Sequence, residues 1–548
     1  MLHRLGCVAV FAAREGYGQM LIDANDIEAR HQVEADLCII GGGAAGLTIA
    51  RLFRGSTTSV CVLEGGGLQI DPASEAVYRS IRNVGRSYPL LYGSRLRFLG
   101  GSTNIWGGHC VPLRAVNFER LPWSRYSGWP VTLADLEPYY RRAEVTLGID
   151  GVSCDPTVVA AKLKQPLFPF DPQRVLTVMS RYNRLRFGSA FRDELSEAAN
   201  IRLICGANVT SIDGHKDGKR VEQVTVRTLG GRTFGVRARA FVLAAGGIEN
   251  PRLLLVSRSV QPDGLGNDHD LVGRFFMEHI WYSSGVILPA QPQAPFRLYT
   301  EERPPGAKIA WRAHLALPEK VVREGNIPDF RAELFNINTW DASEAVQSVA
   351  LLRRSAAQLD WPDDITKHIE NIIRSPDEVL GAAIGRSGPH GYEFWNNVEQ
   401  APNPSSRIGL AEDRDPLGVP VATIDWRLSD IDKEGIRYAH RCIAREVGRS
   451  GFGRMLVNLP EEEPELLAGA NGIGHHIGTT RMSDDPRMGV VDRNCRVHGL
   501  ANLFVAGSSV FPTGGYANPT MTIVALAERL GDHLKDGLRA AGWTGGRA

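Results

Sequence analysis

The sequence predicts an α/β fold: a Rossmann-like nucleotide-binding domain assembled from discontinuous segments, plus a substrate domain with a mainly antiparallel sheet backed by helices. Three observations carry this. A short apolar run, Leu37 to Ile40, leads into a glycine cluster and then a helical pattern. The same order of strand, glycine and helix returns in "ARAFVLAAGGIENPRLLLVS" and again in "NLFVAGSSVFPTGGYANPTMTIVALAERLGDHL". Between about 280 and 465 the texture changes to proline-rich loops, strand-like pieces and the hairpin-like "RIGLAEDRDPLGVPVATIDW".

The 548 residues exceed what one hydrophobic core usually holds, so two or three domains are expected. A net charge of +1 gives no electrostatic reason for nucleic acid or an anionic membrane as partner. No stretch is long and apolar enough to span a bilayer. The eight cysteines show no Cys-x-x-Cys and no disulfide-style spacing, and Cys38 and Cys61 sit in apolar runs, which favours a reducing, cytoplasmic setting. Leu5 to Ala13 is the one targeting-like segment; the alternative is a start at Met20.

The first element is the strand ending at Ile40. Gly41, Gly43 and Gly46 follow in G-x-G-x-x-G spacing, then Leu47, Ala50, Leu52 and Phe53 with helical periodicity. The first glycine permits the tight turn, the second a close approach of pyrophosphate, and the third close packing of helix on strand. The phosphate charge then meets the helix N-terminus. A second strand, "SVCVLEGGG", ends at Glu64, about 20 residues on, where an acid accepts ribose hydroxyls. Next comes "GSRLRFLGGSTNIWGGHC", a second glycine cluster enclosing Trp106. In the middle repeat Asn250 reads as an N-cap with Pro251 at the first helical position. In the last, Asn518-Pro519 opens a helix with Ile523, Leu526, Ala527, Leu530 and Leu534 on one face.

The resulting division is an N-terminal extension (1–32), a first nucleotide-domain segment (33–150), a lid or substrate-domain insertion (151–195), a second segment (196–279), a substrate-binding domain (280–465), a third segment (466–540) and a tail (541–548). No G-x-S-x-G elbow suggests a hydrolase. No H-E-x-x-H or cysteine ligand set suggests a metal, and none is expected.

Four motifs together resemble the glucose-methanol-choline (GMC) oxidoreductases: "GGGAAG" with Glu64; "GGSTNIWGG"; "AAGGIENPRLLL"; and "HHIGTTRM…VDRNCRVHGLANLFVAGSSVFP…ANPT". The resemblance spans most of the chain and is thin over about 150–190 and 280–390. It looks closest to the bacterial branch that oxidises sugars and glycosides, related to pyranose oxidase. It implies FAD, alcohol oxidation, and oxygen or another electron acceptor. In the pyranose-oxidase flavin loop a histidine before the tryptophan bonds covalently to the flavin; Ile105 stands there in this chain, so non-covalent FAD is expected.

Taking an alcohol to a carbonyl requires a base near neutrality, for which histidine is suited, and a polar group to hold the oxygen. On the residues alone, adjacent histidines in a glycine loop are ordinarily structural, and asparagine before proline is ordinarily a helix cap. The resemblance places the family's catalytic histidine at His475, not His476, and its partner at Asn518. It also places Gly101, Ser102, Asn104, Trp106, Gly246, Gly507, Ser508, Pro519 and Thr520 around the flavin, and Val209 against adenine. "GYEFWNNVEQ" sets Tyr392, Phe394, Trp395 and Asn396 side by side, a sugar-binding combination or equally an aromatic core strand.

The expected function is FAD-dependent oxidation of a secondary ring hydroxyl of a sugar or glycoside to a ketone. The alternatives are a dehydrogenase of another alcohol (aminoglycoside-type, sterol or aliphatic) and a non-catalytic flavoprotein. A homo-oligomer is left open.

Overall fold

The computed structural model describes residues 20–88, 93–290, 296–338, 343–358, 361–362, 364–383, 390–459 and 469–540. The targeting-like segment at 5–13, the tail at 541–548 and the acidic run at 460–465 lie outside them.

In chain order the strands are β1 (Leu21–Asp23), β2 (Gln32–Ile40), β3 (Val60–Glu64), β4 (Arg82–Asn83), β5 (His109–Cys110) and β6 (Leu176–Tyr182). They continue with β7 (Ile201–Cys205), β8 (Asn208–Gly214), β9 (Val221–Arg227), β10 (Thr233–Leu243), β11 (His279–Pro289) and β12 (Ala310–Ala316). The last six are β13 (Phe330–Asn338), β14 (His390–Glu399), β15 (Arg407–Arg414), β16 (Pro420–Asp425), β17 (Gly453–Val457) and β18 (Leu503–Val505).

The first sheet runs β1-β7-β3-β2-β10-β9-β8, with β18 also on β10. Its β1-β7-β3-β2-β10-β18 pairings are all parallel, and β9 and β8 close it antiparallel. Parallel strands are covered on both faces, which explains why Leu37 to Ile40 and Val60 to Leu63 read as unbroken apolar runs. β1 lies within the expected extension 1–32, so that stretch gives Leu21–Asp23 to this sheet.

The second sheet runs β17-β11-β14-β13-β12-β6-β5 and is antiparallel throughout. β6 comes from the expected insertion 151–195, and β5 from inside the expected first segment 33–150; both pair here rather than in the first sheet. One face packs on the helix Asp430–Arg449, whose Ile436, Ala439, Ile443 and Val447 meet Ile280, Phe330, Leu334, Tyr392 and Phe394 in one core. On the other face Arg331 reaches Asn518, just before the C-terminal helix. β15 and β16 form the expected hairpin, but it pairs with β4 as a separate three-stranded sheet.

Two helix starts differ from the sequence reading. The helix Gly246–Val256 begins a turn before Asn250, so Asn250 is not its cap. Its amide instead accepts from the Ala245 N–H (2.8 Å) and donates to Ser509 Oγ (3.0 Å), tying the middle and last glycine turns together. The helix Thr520–Arg539 carries no side-chain cap, which frees Asn518 for another role. No helix among the described residues is long and apolar enough to cross a membrane.

Candidate active site

A cavity of about 420 Å³ runs from the ends of β2 and β3, past the middle glycine turn, to the start of the C-terminal helix. Its lining includes Gly41, Gly43, Glu64, Gly101, Ser102, Trp106, Val209, Gly246, Gly507 and Ser508, and it ends at His475, Asn518, Pro519 and Thr520. Gly46 and Asn104 do not line it. Gly46 packs helix on strand, and Asn104 Nδ2 donates to the Leu99 carbonyl (3.0 Å).

The glycines fit a dinucleotide. A Cβ at Gly46 would lie 2.0 Å from the Gly41 carbonyl oxygen, whereas a Cβ at Gly43 would meet nothing within 4 Å. The middle glycine therefore faces open space at the N-terminus of the helix Ala44–Leu52, which has no side-chain cap of its own. Uncapped N–H groups and helix dipole together suit a pyrophosphate. Glu64 is buried at the tip of β3, where its carboxylate accepts from the N–H groups of Gly42 (2.9 Å) and Gly66 (2.8 Å). Burial lifts its pKa.

At the far end His475 Nδ1 lies 2.8 Å from His279 Nδ1, and His475 Nε2 lies 3.3 Å from Asn518 Nδ2. Asn518 Oδ1 accepts from Arg331 (3.2 Å), which is fully buried and also donates to Glu333 (3.0 Å). The assignment of oxygen and nitrogen in Asn518 follows: Arg331 can only donate, so the amide nitrogen faces the histidine. Burial first, then His279, His109, Arg331 and His476, hold His475 well below the ordinary histidine value. Each of these influences favours the uncharged imidazole.

The loop is held by Glu278, buried at the entry to β11. Its carboxylate accepts from the backbone N–H groups of His475 (3.0 Å), Ile473 (3.2 Å) and His279 (3.2 Å), and from the Tyr88 hydroxyl. Burial pushes this carboxyl up to about 7. His476 turns away from Asn518: its Nε2 contacts Tyr88 Oη (3.0 Å), and its ring stacks on Phe276.

The aromatic stretch on β14 divides by strand alternation. Tyr392, Phe394 and Asn396 point into the core under the helix Asp430–Arg449, where Asn396 Nδ2 is taken by Ser284 Oγ (2.7 Å) and the Tyr282 carbonyl (3.0 Å). None of these three lines the cavity, and neither does Trp395, which corrects the reading of the stretch as cavity-lining substrate contacts. Trp395 lies on the opposite face, across from Glu333, and Asn397 lies across from Arg331. Its ring packs on Trp281 (centroids 5.1 Å) and near Phe335 (6.2 Å). His279, Glu278, Arg331 and Trp281 belong to no sequence motif. The only trace of them is a polar Glu-His pair at the mouth of an apolar strand and an arginine buried in another.

Comparison with known proteins accords with this geometry. The family model described as GMC oxidoreductase matches residues 402–527, and that described as FAD dependent oxidoreductase matches residues 36–262. The chain is 26% identical to paromamine 6'-oxidase of Streptomyces fradiae over 90% of each chain. It is 25% identical to 2-methyl-1,2-propanediol dehydrogenase of Mycolicibacterium austroafricanum, over 91% of this chain and 95% of that one. Pyridoxine 4-oxidase from Mesorbium loti superposes with a TM-score of 0.55 at 19% identity, covering 91% of this chain and 99% of that one, a likeness of fold. Fold, cavity and matches define an FAD-dependent oxidoreductase acting on CH–OH groups. The chain carries a GMC oxidoreductase domain over 402–527 and an FAD dependent oxidoreductase domain over 36–262, and the relatives it is similar to are GMC oxidoreductases.

Proposed function

We propose that the chain oxidises a secondary ring hydroxyl of a sugar or glycoside to a ketone, with His475 as general base and FAD bound non-covalently. The observation that carries this is His475 Nε2 lying 3.3 Å from Asn518 Nδ2 at the end of a cavity that also runs past Gly41, Gly43 and Glu64. His475 Nε2 takes the hydroxyl proton as the C–O bond gains double-bond character. Asn518 Nδ2–H donates to the substrate oxygen while negative charge builds there. FAD supplies the acceptor for the hydrogen that leaves the same carbon as hydride. Ile105 offers no atom for a covalent link.

A sugar is supported by the aromatic face of Trp395 and Trp281, two strand positions from Asn397 and His279. Pyranose rings present C–H faces that suit such surfaces. An aminoglycoside-type alcohol is the second reading, favoured by the full-length match to paromamine 6'-oxidase.

The test is anaerobic mixing of the flavoprotein with sugars, glycosides, aminoglycosides and simple diols, read as bleaching of the flavin. Rapid bleaching by a sugar or glycoside is expected, and His475→Ala should slow it by about 10²–10⁴-fold with FAD still bound. Admitting oxygen afterwards separates an oxidase from a dehydrogenase. Bleaching by diols or aminoglycosides alone would refute the sugar assignment; fast bleaching of His475→Ala would refute the base.

A further inference from the structure

We infer that His279 is a positioning residue that fixes the ring tautomer of His475, so that the lone pair of His475 stands on Nε2, toward Asn518 and the cavity. The inference rests on the reading of His475 as base.

The argument is one of donors and acceptors. His279 Nε2 lies 2.8 Å from the Gly515 carbonyl oxygen, which can only accept. His279 Nε2 therefore carries a proton. Burial also pushes His279 down to about 3, so it holds one ring proton and no more near neutrality. Its Nδ1 is then a bare acceptor. The 2.8 Å contact to His475 Nδ1 needs a proton between the two nitrogens, and only His475 can supply it. A neutral His475 with its proton on Nδ1 has its lone pair on Nε2. The ring planes stand at 90° with centroids 4.8 Å apart, so the two rings approach through their nitrogens and are not stacked.

The carbonyl that starts this chain is itself held. Gly514 and Gly515 donate their N–H groups to Glu399 Oε1 (3.1 and 2.8 Å), and Glu399 is the register partner of His279 across β14 and β11. The backbone of His279 is tied through Glu278 to that of His475. Both ends of the relay are therefore fixed to one rung of the second sheet. Once His475 has accepted the substrate proton, Gly515 cannot take one from His279, so the proton returns by His475 Nε2 into the cavity.

The reaction alone would not separate this from a packing role, so the first test is a spectrum. Holoprotein labelled with ¹⁵N-histidine, its resonances assigned with His279→Gln and His475→Asn, should show pyridine-type nitrogens at His475 Nε2 and His279 Nδ1. A pyridine-type Nδ1 on His475 overturns the proposal. This result is readable whichever alcohol is the substrate, or if none is found. The second test is anaerobic flavin reduction. His279→Leu leaves Nδ1–H of His475 without an acceptor and should cut the limiting rate by about 10²–10⁴-fold, as expected for loss of a base, with little change in substrate half-saturation. The remaining rate should climb with pH. His279→Gln keeps an acceptor oxygen and should recover most of the rate. Parent-like kinetics in His279→Leu, or equal slowness of the leucine and glutamine variants with FAD bound, would overturn it. If the leucine variant does not fold, the spectrum of the parent decides.

Discussion

Valine at position 43 and valine at position 46 should damage the protein in opposite ways. At 46 a Cβ would sit 2.0 Å from the Gly41 carbonyl oxygen and 3.2 Å from the Ile39 side chain. The backbone oxygen cannot step aside, so the helix Ala44–Leu52 must lift from β2 and carry the buried Leu47, Ile49 and Ala50 with it. Overpacking costs about 1–3 kcal/mol, and more where backbone must move. We take about 3 kcal/mol, a fall of roughly 6–12 °C in the melting temperature of a domain of 150–250 residues. At 43 a Cβ meets nothing within 4 Å, so the apoprotein should melt within about 0.5 kcal/mol of the parent. Its side chain would occupy the pyrophosphate's approach, however. FAD at 100 times its dissociation constant should stabilise the parent by about 2.7 kcal/mol and Gly43→Val hardly at all. The assay is thermal melting of stripped protein with and without FAD, beside the flavin absorbance of freshly purified protein. A yellow Gly43→Val that gains as much from FAD as the parent would refute the placement. So would a stripped Gly46→Val that melts like the parent.

Other outcomes follow from the site. His279 titrates near 3 in the fold and about 6.5 when unfolded, so the unfolded chain binds a proton that the fold refuses, and stability is lost as pH drops below about 6.5. In His279→Gln, urea midpoints between pH 6 and 4 should fall less steeply, by about 1.4 kcal/mol per pH unit; equal slopes would contradict the neutral buried ring. Arg331→Met strips the buried Glu333 of its closest cation and should cost about 3–5 kcal/mol. Adding Glu333→Gln should restore stability but not flavin reduction, because Asn518 remains unheld; recovery of both would remove Arg331 from the site. Trp395→Ala should raise the half-saturating sugar concentration by about tenfold, for a lost aromatic contact of about 1.4 kcal/mol, with the melting temperature little changed. Phe394→Ala should do the reverse, losing about 3–5 kcal/mol of stability. Denaturation curves and steady-state kinetics on the two variants separate them.

What could be read from the chain in advance follows from how local each signal is. The turn at Gly41 to Gly46 and the acid at Glu64 are set by adjacent residues, so strand, glycine spacing and helix appear together in the sequence. The three sequence pieces of the first sheet share one local grammar, and β2, β10 and β18 do lie side by side. The substrate side is different in kind. Arg331 reaches Asn518 across 187 positions and His279 reaches His475 across 196, contacts from a strand to a distant loop that only tertiary packing creates. Tyr392, Phe394 and Asn396 misled because composition does not report which face of a strand a side chain occupies. Asn518 shows the converse: before Pro519 it reads as a cap, yet the helix takes no side-chain cap and the amide turns to Arg331 and His475.

The two-faced β14 also bears on how such a protein can change its diet. Positions 393, 395 and 397 lie on the face shared with Arg331 and Glu333, while 392, 394 and 396 are buried on the other, beneath a helix. A lineage can therefore exchange one set by single substitutions and leave the other, and with it the folded shape, in place. His475, the proposed base, is held at the adjoining end of the sheet through His279, Gly515 and Glu399. Novelty in the molecule recognised need not disturb the chemistry performed on it, and a chain of this design can diversify by drift along every second residue of one strand.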